Sequence, residues 1–348
     1  ATSCPFVYVW DGERFVFLTD VLGVGPLGEL APDGGRIKPY YEEIVRLPDG
    51  LRDREGFYVF QFTDELREVD YFDQVRLLAV DHPATEEAYA NEIYSSSPSA
   101  PVLHLARQKH FPISAVDHHG YDVLALLRAA DDRYPTNFRR LRIPGLTELH
   151  AITLDPGKVP DNAPLALWMR GWVYWTDSNS HRALLTNSEH KVIPPYLQVL
   201  DEQGRWVTVN TDIGLPSGTN RTMRVDLTGK FLSQDRRVRI ATNMRVYWDQ
   251  AFFTTGDVET AGAFELPLVA ADLHYRGFST PVTDPNGSKP EYFEYTKVLA
   301  EAPWNPMIGN YTRYGDVREL VTRADDLLVV TATGDEVTVE FDAHNLPP

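Results

Sequence analysis

Cysteine, methionine, long apolar runs and helix-forming stretches are all scarce in this chain of 348 residues, which holds one Cys and four Met. The lone Cys4 excludes an intrachain disulfide, a thiolate zinc site and a covalently attached c-type haem, each of which needs at least two cysteines. It reads best as a tolerated or buried thiol, ahead of an interchain disulfide or a lipid-attachment point. No stretch approaches the ~20 apolar residues of a membrane helix. No signal-peptide pattern opens the chain, which leaves a cytoplasmic protein or a processed exported one. Basic charge is also short. Against 50 Asp and Glu stand 33 Lys and Arg, a formal charge of −17 that repels phosphate backbones and anionic membranes. Nucleic acid is therefore not an expected partner, and the densest basic cluster, Arg139, Arg140 and Arg142, reads as a solvated strand face.

What the chain has in plenty is period-2 alternation. Phe6 to Trp10, Phe15 to Leu18, Phe57 to Phe62, Val75 to Val80 and Val238 to Ala241 are β-branched and aromatic runs with the spacing of strands. Turn residues fall between them at Asp11-Gly12, Asp33-Gly34-Gly35, Asp49-Gly50, Pro156-Gly157, Gln203-Gly204 and Asn286-Gly287. Twenty-five prolines further disfavour long helices. Only Asp122 to Ala130 and Asp316 to Arg323 have helix-forming composition, and both are short enough to be connectors. The expected fold is all-β, with two or more β-sandwich modules of jelly-roll or galactose-binding-like type joined by short connector helices.

Those two short segments resemble each other. Gly120-Tyr121-Asp122-Val123, then Leu126-Leu127 and Ala130-Asp131-Asp132, compares with Gly315-Asp316-Val317, then Leu320-Val321 and Ala324-Asp325-Asp326, at an offset of 194 (316 − 122). Downstream, Leu149 to Asp155 compares with Glu336 to Asp342. A second pair, Tyr71-Phe72-Asp73-Gln74 and Tyr247-Trp248-Asp249-Gln250, has an offset of 176 (249 − 73). One module with an opening half and a closing half accounts for both. Residues 105–260 then form a complete module, 1–104 a closing half and 261–348 an opening half. Each orphan half exposes an apolar face, so the two ends are expected to pack together, within a chain or between chains.

Several strings resemble the C-terminal region of large bacterial exported proteins that carry FG-GAP propeller repeats, tetratricopeptide repeats and an ASPIC/UnbV segment. They are Ser3 to Gly12, Tyr71 to Gln74 leading into Ala79-Val80-Asp81-His82-Pro83, Gly171-Trp172 with Thr176-Asp177-Ser178, His274 to Ser279, and Tyr311 to Asp316. The resemblance spans most of the chain and implies export, to the extracellular space or the periplasm, with a role in assembly or binding. It transfers no catalytic residues. It also implies a continuation past Pro348 into a second Gly-Trp strand.

Gly23-Val24-Gly25-Pro26-Leu27-Gly28 spells a dinucleotide pattern, but Pro26 interrupts it and no helix follows. Gly-x-Ser-x-Gly, phosphate-loop and His-Glu-x-x-His patterns are absent from the sequence. The most suggestive chemistry is Asp117-His118-His119-Gly120-Tyr121-Asp122, where Asp117, His118, His119 and Asp122 are the candidate metal ligands. Adjacent histidines on a strand point to opposite faces, so both serve one site only if a turn intervenes. His104 and His110 are further imidazole sources. Calcium is the cofactor that oxygen-rich loops suit, at Asp177 to Ser180, at Asp155 with Asp161 and Asn162, and at Asp284 to Gly287.

Seven Trp and 17 Tyr suggest polysaccharide as a ligand. Trp175 with Asp177 and Asn179, and Trp248 with Asp249, are the candidate ligand-binding residues. Trp168 and Trp172 share one strand face and are expected in the core, and Trp248 doubles as a candidate core anchor. The sequence thus points to a non-catalytic extracellular binding or assembly module that engages other protein chains or copies of itself. A carbohydrate-binding module is the alternative, and a metal-dependent hydrolase the second alternative.

Overall fold

The computed structural model describes residues 5–21, 42–94, 102–159, 163–174, 191–216, 218–259, 262–344 and 346. The fold is all-β. Among the described residues, helix is confined to a 3-10 turn at Leu124–Leu126 and one turn of α-helix at Arg318–Val321, the two segments expected as connectors. No described helix is long and apolar enough to cross a membrane.

The centre of the chain forms two sheets. A five-stranded sheet orders Trp206–Asn210, Tyr196–Leu200, Val238–Met244, Leu146–Asp155 and Ser114–Asp117, every neighbour antiparallel. A three-stranded sheet places Leu165–Val173 between Arg221–Asp226 and Val246–Thr255. One apolar cluster draws on both sheets, including Ile152, Leu154, Val199 and Ile240 from the first and Leu167, Met169, Val225 and Phe253 from the second. The opposite face of Leu165–Val173 is covered too: Trp168 stacks on Phe252 at 10° and packs with Tyr89 and Ala106. This strand is therefore apolar at nearly every position, as a strand covered on both faces must be. Trp168 and Trp172 both lie in the core as expected.

The two ends of the chain share a six-stranded sheet, ordered Phe15–Asp20, Phe6–Trp10, Phe57–Thr63, Asp335–Asp342, Leu268–Tyr275 and Gly315–Asp316. Its central seam joins Phe57–Thr63 to Asp335–Asp342, antiparallel from Glu336↔Thr63 to Asp342↔Phe57. Val7, Val9, Phe60, Leu273, Val337, Val339 and Phe341 fill one side of this sheet, while Phe6 and Tyr8 meet Phe293 and Tyr295 on the other.

The first five strands of this sheet follow the order of the central five-stranded sheet: outer hairpin strand, inner hairpin strand, then three further strands. Local bonds match as well. Val123 donates its N–H to Ala115 and Val317 to Ala271, each at 2.9 Å. Asp122 caps the Leu124 N–H at 2.8 Å and Asp316 caps that of Arg318 at 2.9 Å. Ala251 donates to the Leu127 carbonyl at 2.9 Å and Val75 to that of Val321 at 3.0 Å. Asp249 accepts the Asp131 N–H, and Asp73 accepts those of Asp325 and Asp326. One alignment shifts: Ala115 pairs with Leu154 and Ala271 with Val339, so Leu154 matches Val339, two residues before Phe341.

Buried charge fastens the chain-end strands to the central ones. Arg221, 2% exposed, donates to Thr19 at 2.6 Å and to the Asp20 carboxylate at 3.2 Å. Asp20 also accepts the Thr219 N–H and hydroxyl at 2.9 and 2.8 Å. Gly218 has φ +85° and a Cβ there would fall 2.6 Å from the Asp20 carboxylate, so the approach requires glycine.

Phe341→Ala, which empties a site 2% exposed against Phe60, is expected to cost about 3–5 kcal/mol in urea denaturation. Removal of residues 262–348 is expected to raise hydrogen exchange at the amides of Phe57–Thr63 that face Asp335–Asp342, because the strand keeps only Phe6–Trp10 as a neighbour; unchanged protection would contradict the shared seam.

Candidate metal centre

The strand Ser114–Asp117 ends in a tight turn that the Asp117 carboxylate organises. It accepts the backbone N–H of His119 at 2.8 Å and of Tyr121 at 3.0 Å, and the Asn137 amide at 2.9 Å. Gly120 supplies the left-handed residue, with φ +86°. Burial pushes the Asp117 carboxyl upward, but these three donors outweigh it and hold its pKa below the usual range.

The turn removes the strand geometry that would send neighbouring side chains to opposite faces. His118 and His119 lie ring against ring, centroids 3.9 Å apart. Both Nε2 atoms face Glu148 Oε1, at 3.6 Å from His118 and 3.9 Å from His119. The ligand atoms of these three residues all lie within 4.8 Å of one another. His118 Nε2 is buried without a hydrogen-bond partner. Two imidazoles and a carboxylate, with His119 open to solvent, are a donor set suited to zinc or another divalent transition ion with a free coordination position.

The structure groups these side chains differently from the expected ligand set. Asp117 spends its carboxylate on the turn and Asp122 caps Leu124, so neither joins the histidines. Glu148, absent from the expected set, takes that place from the strand Leu146–Asp155. Arg139 holds it there through its N–H at 2.8 Å and its guanidinium at 3.5 Å, and with the His118 imidazole keeps the Glu148 carboxyl below its ordinary pKa. His150, two residues on, faces inward, stacks on Phe138 and bonds the Met244 carbonyl; burial lowers its pKa to about 4. His104 packs edge-on against Trp168 and His110 stacks on Phe253, so neither belongs to the cluster.

The other expected sites divide. Trp175, Asp177 and Asn179 lie outside the described residues, as do Asp161, Asn162 and the Gly23 to Gly28 string. Trp248 is 2% exposed in the central core, so its ring presents no face to a sugar. Asp249 is fully buried, paired with Arg170 and the Asp131 N–H. Asp284 satisfies its own loop through Asn286 and Ser288, and Asp155 caps Gly157.

A buried network in the chain-end sheet gave no sequence signal beyond an excess of acids. Arg276 reaches Glu65 at 3.5 Å and Glu336 at 3.2 Å, and His274 reaches Glu336 at 3.3 Å. Nearby, Asp64 and Asp70 form a carboxyl pair. Desolvation and then mutual repulsion push Asp64 well above the usual carboxylate range.

Comparisons with protein-family models, curated proteins and solved structures found no match for this chain.

Asp64 with a raised folded pKa binds a proton that the unfolded chain releases near pH 4. Its contribution is thus present below that pH and is lost as pH rises through the folded value. Asp64→Asn is expected to flatten the fall in stability above pH ~4 seen in denaturation series of the parent. Parallel pH profiles for the two proteins would refute the assignment.

Proposed function

We propose that this chain is a non-catalytic binding or assembly module, acting outside the cytoplasm, that engages other protein chains or copies of itself through strand edges. The observation that supports it is the six-stranded sheet to which both ends of the chain contribute, Phe57–Thr63 against Asp335–Asp342. In this reading the chain is two copies of one architecture, the second closed from an opening half at the C-terminal side and a closing half at the N-terminal side. The matched strand orders and the matched bonds of Asp122 with Asp316 and Asp249 with Asp73 support the duplication. A module closed by strand pairing between distant segments reuses that pairing in assembly, while acidic surface keeps it soluble. Sedimentation velocity across a wide concentration range is expected to show association that chelator and soluble glycans leave unchanged. A monomer at every concentration that instead binds glycans, or that shows chelator-sensitive hydrolysis, would overturn the reading.

The convergence of His118, His119 and Glu148 favours a second, compatible reading, that a divalent ion staples the turn at His118 to the strand Leu146–Asp155. Calorimetric titration with Zn2+ is expected to show one site, lost in His118→Ala and in Glu148→Gln. The affinity is expected to fall in acid, because metal ligation requires unprotonated donor groups. Retention of binding in both variants would remove these residues from the site.

A further inference from the structure

Set beside the central sheets, the chain-end half has one strand fewer among the described residues. In the centre, Val246–Thr255 has neighbours on both sides. On one side lie Leu127, which accepts the Ala251 N–H, and His110, which bridges Phe253. On the other runs Leu165–Val173, paired from Leu165↔Thr255 to Val173↔Val246. The matching stretch at the chain ends is 70–79, at the 176-residue offset carried by Asp249 and Asp73, Ala251 and Val75, and Phe253 and Leu77. Its first side is occupied in the same way. Tyr71–Phe72 pairs with Val329–Val330, Val75 bonds Val321, and Leu77–Val80 pairs with Ala263–Leu266. On the side where Leu165–Val173 would lie, no strand pairs with it among the described residues.

Burial and charge differ between the two edges in the same sense. Nine of the ten residues of Val246–Thr255 are buried, whereas Leu77–Val80 are all only partly buried and Tyr71 is 53% exposed. In the centre, Arg170 of the inserted strand pairs with the Asp249 carboxylate and lies 3.7 Å from Asp132. The matching acids are Asp73 and Asp326, held together by the Asp326 N–H at 3.0 Å. Asp326 even keeps the left-handed backbone of Asp132, φ 63° against 58°. No described cation pairs with either acid.

We propose that the edge 70–79 is a strand-acceptor lane, filled by an extended segment of a different polypeptide that is apolar on both faces and carries an arginine opposite Asp73 and Asp326. The added strand gains backbone hydrogen bonds along the edge, its side chains cover Leu77 to Val80, and its guanidinium neutralises the acid pair. A second copy of this chain is a poor donor, because its own Leu165–Val173 is locked in the core, with Leu167, Trp168 and Met169 at 0% exposure. The inference rests on the assembly reading above and names the class of partner.

The probe is a synthetic peptide with the sequence of Leu165–Val173 between solubilising lysines, titrated into the full chain by fluorescence anisotropy. Saturable binding and a raised melting temperature are expected, with affinity at least ~10-fold weaker for a peptide N-methylated on the amides that face Val246–Thr255 in the native strand. Glutamate in place of the peptide arginine is expected to weaken binding by a similar factor. Equal binding of parent, N-methylated and scrambled peptides, or none by any, would overturn the lane. Release of a self-associated form by the parent peptide would assign the lane to a second copy and overturn the choice of a different chain. Sedimentation of the peptide-free protein separates the two readings: a failed peptide with association intact removes the lane alone.

Discussion

The antiparallel seam between Phe57–Thr63 and Asp335–Asp342 is the contact on which the chain-end half depends. It joins segments separated by most of the chain, so its formation carries a large loop-closure cost before any reward arrives. The reward is burial on both faces, Val7, Phe60, Val339 and Phe341 on one side and Phe6, Tyr8 and Phe293 on the other. Neither end could cover these residues alone, because each supplies only part of the sheet.

Buried polar groups then specify how this sheet meets the central ones. Arg221 is almost fully enclosed and satisfies its guanidinium with Thr19, Thr219, Asp20 and Glu43. A charge so enclosed is costly unless every donor is met, which makes the arrangement intolerant of a shifted strand. At a second contact, Arg140 reaches the Asn286 carbonyl and Arg245 that of Gly287, so the loop at Asp284 docks on the central half. Asp284 rigidifies that loop through its own backbone, a role that competes with calcium binding for the same oxygens.

The histidine cluster shows how far local architecture constrains chemistry. Asp117 bends the chain so that two consecutive imidazoles face one carboxylate, which a continuing strand would forbid. Asp117 and Asp122 build and cap the turn, and the residues free for a ligand are the ones the turn displays.

Alternation, turn residues and the recurring Gly-Asp-Val and aromatic-Asp-Gln strings made the all-β class and the two short connectors legible in the sequence, because strand and turn preferences act over a few residues. The aromatic core was legible in part: Trp168 and Trp172 follow strand parity, and Trp248 fits its role as an anchor beside Asp249. Tertiary structure alone decided that Glu148 meets His118 and His119, that Arg221 closes on Asp20, and that the edge at Leu77 to Val80 is left half-covered. These depend on which strands become neighbours, and in a sheet that is set by pairings across tens to hundreds of residues, a distance over which local sequence pattern carries no information.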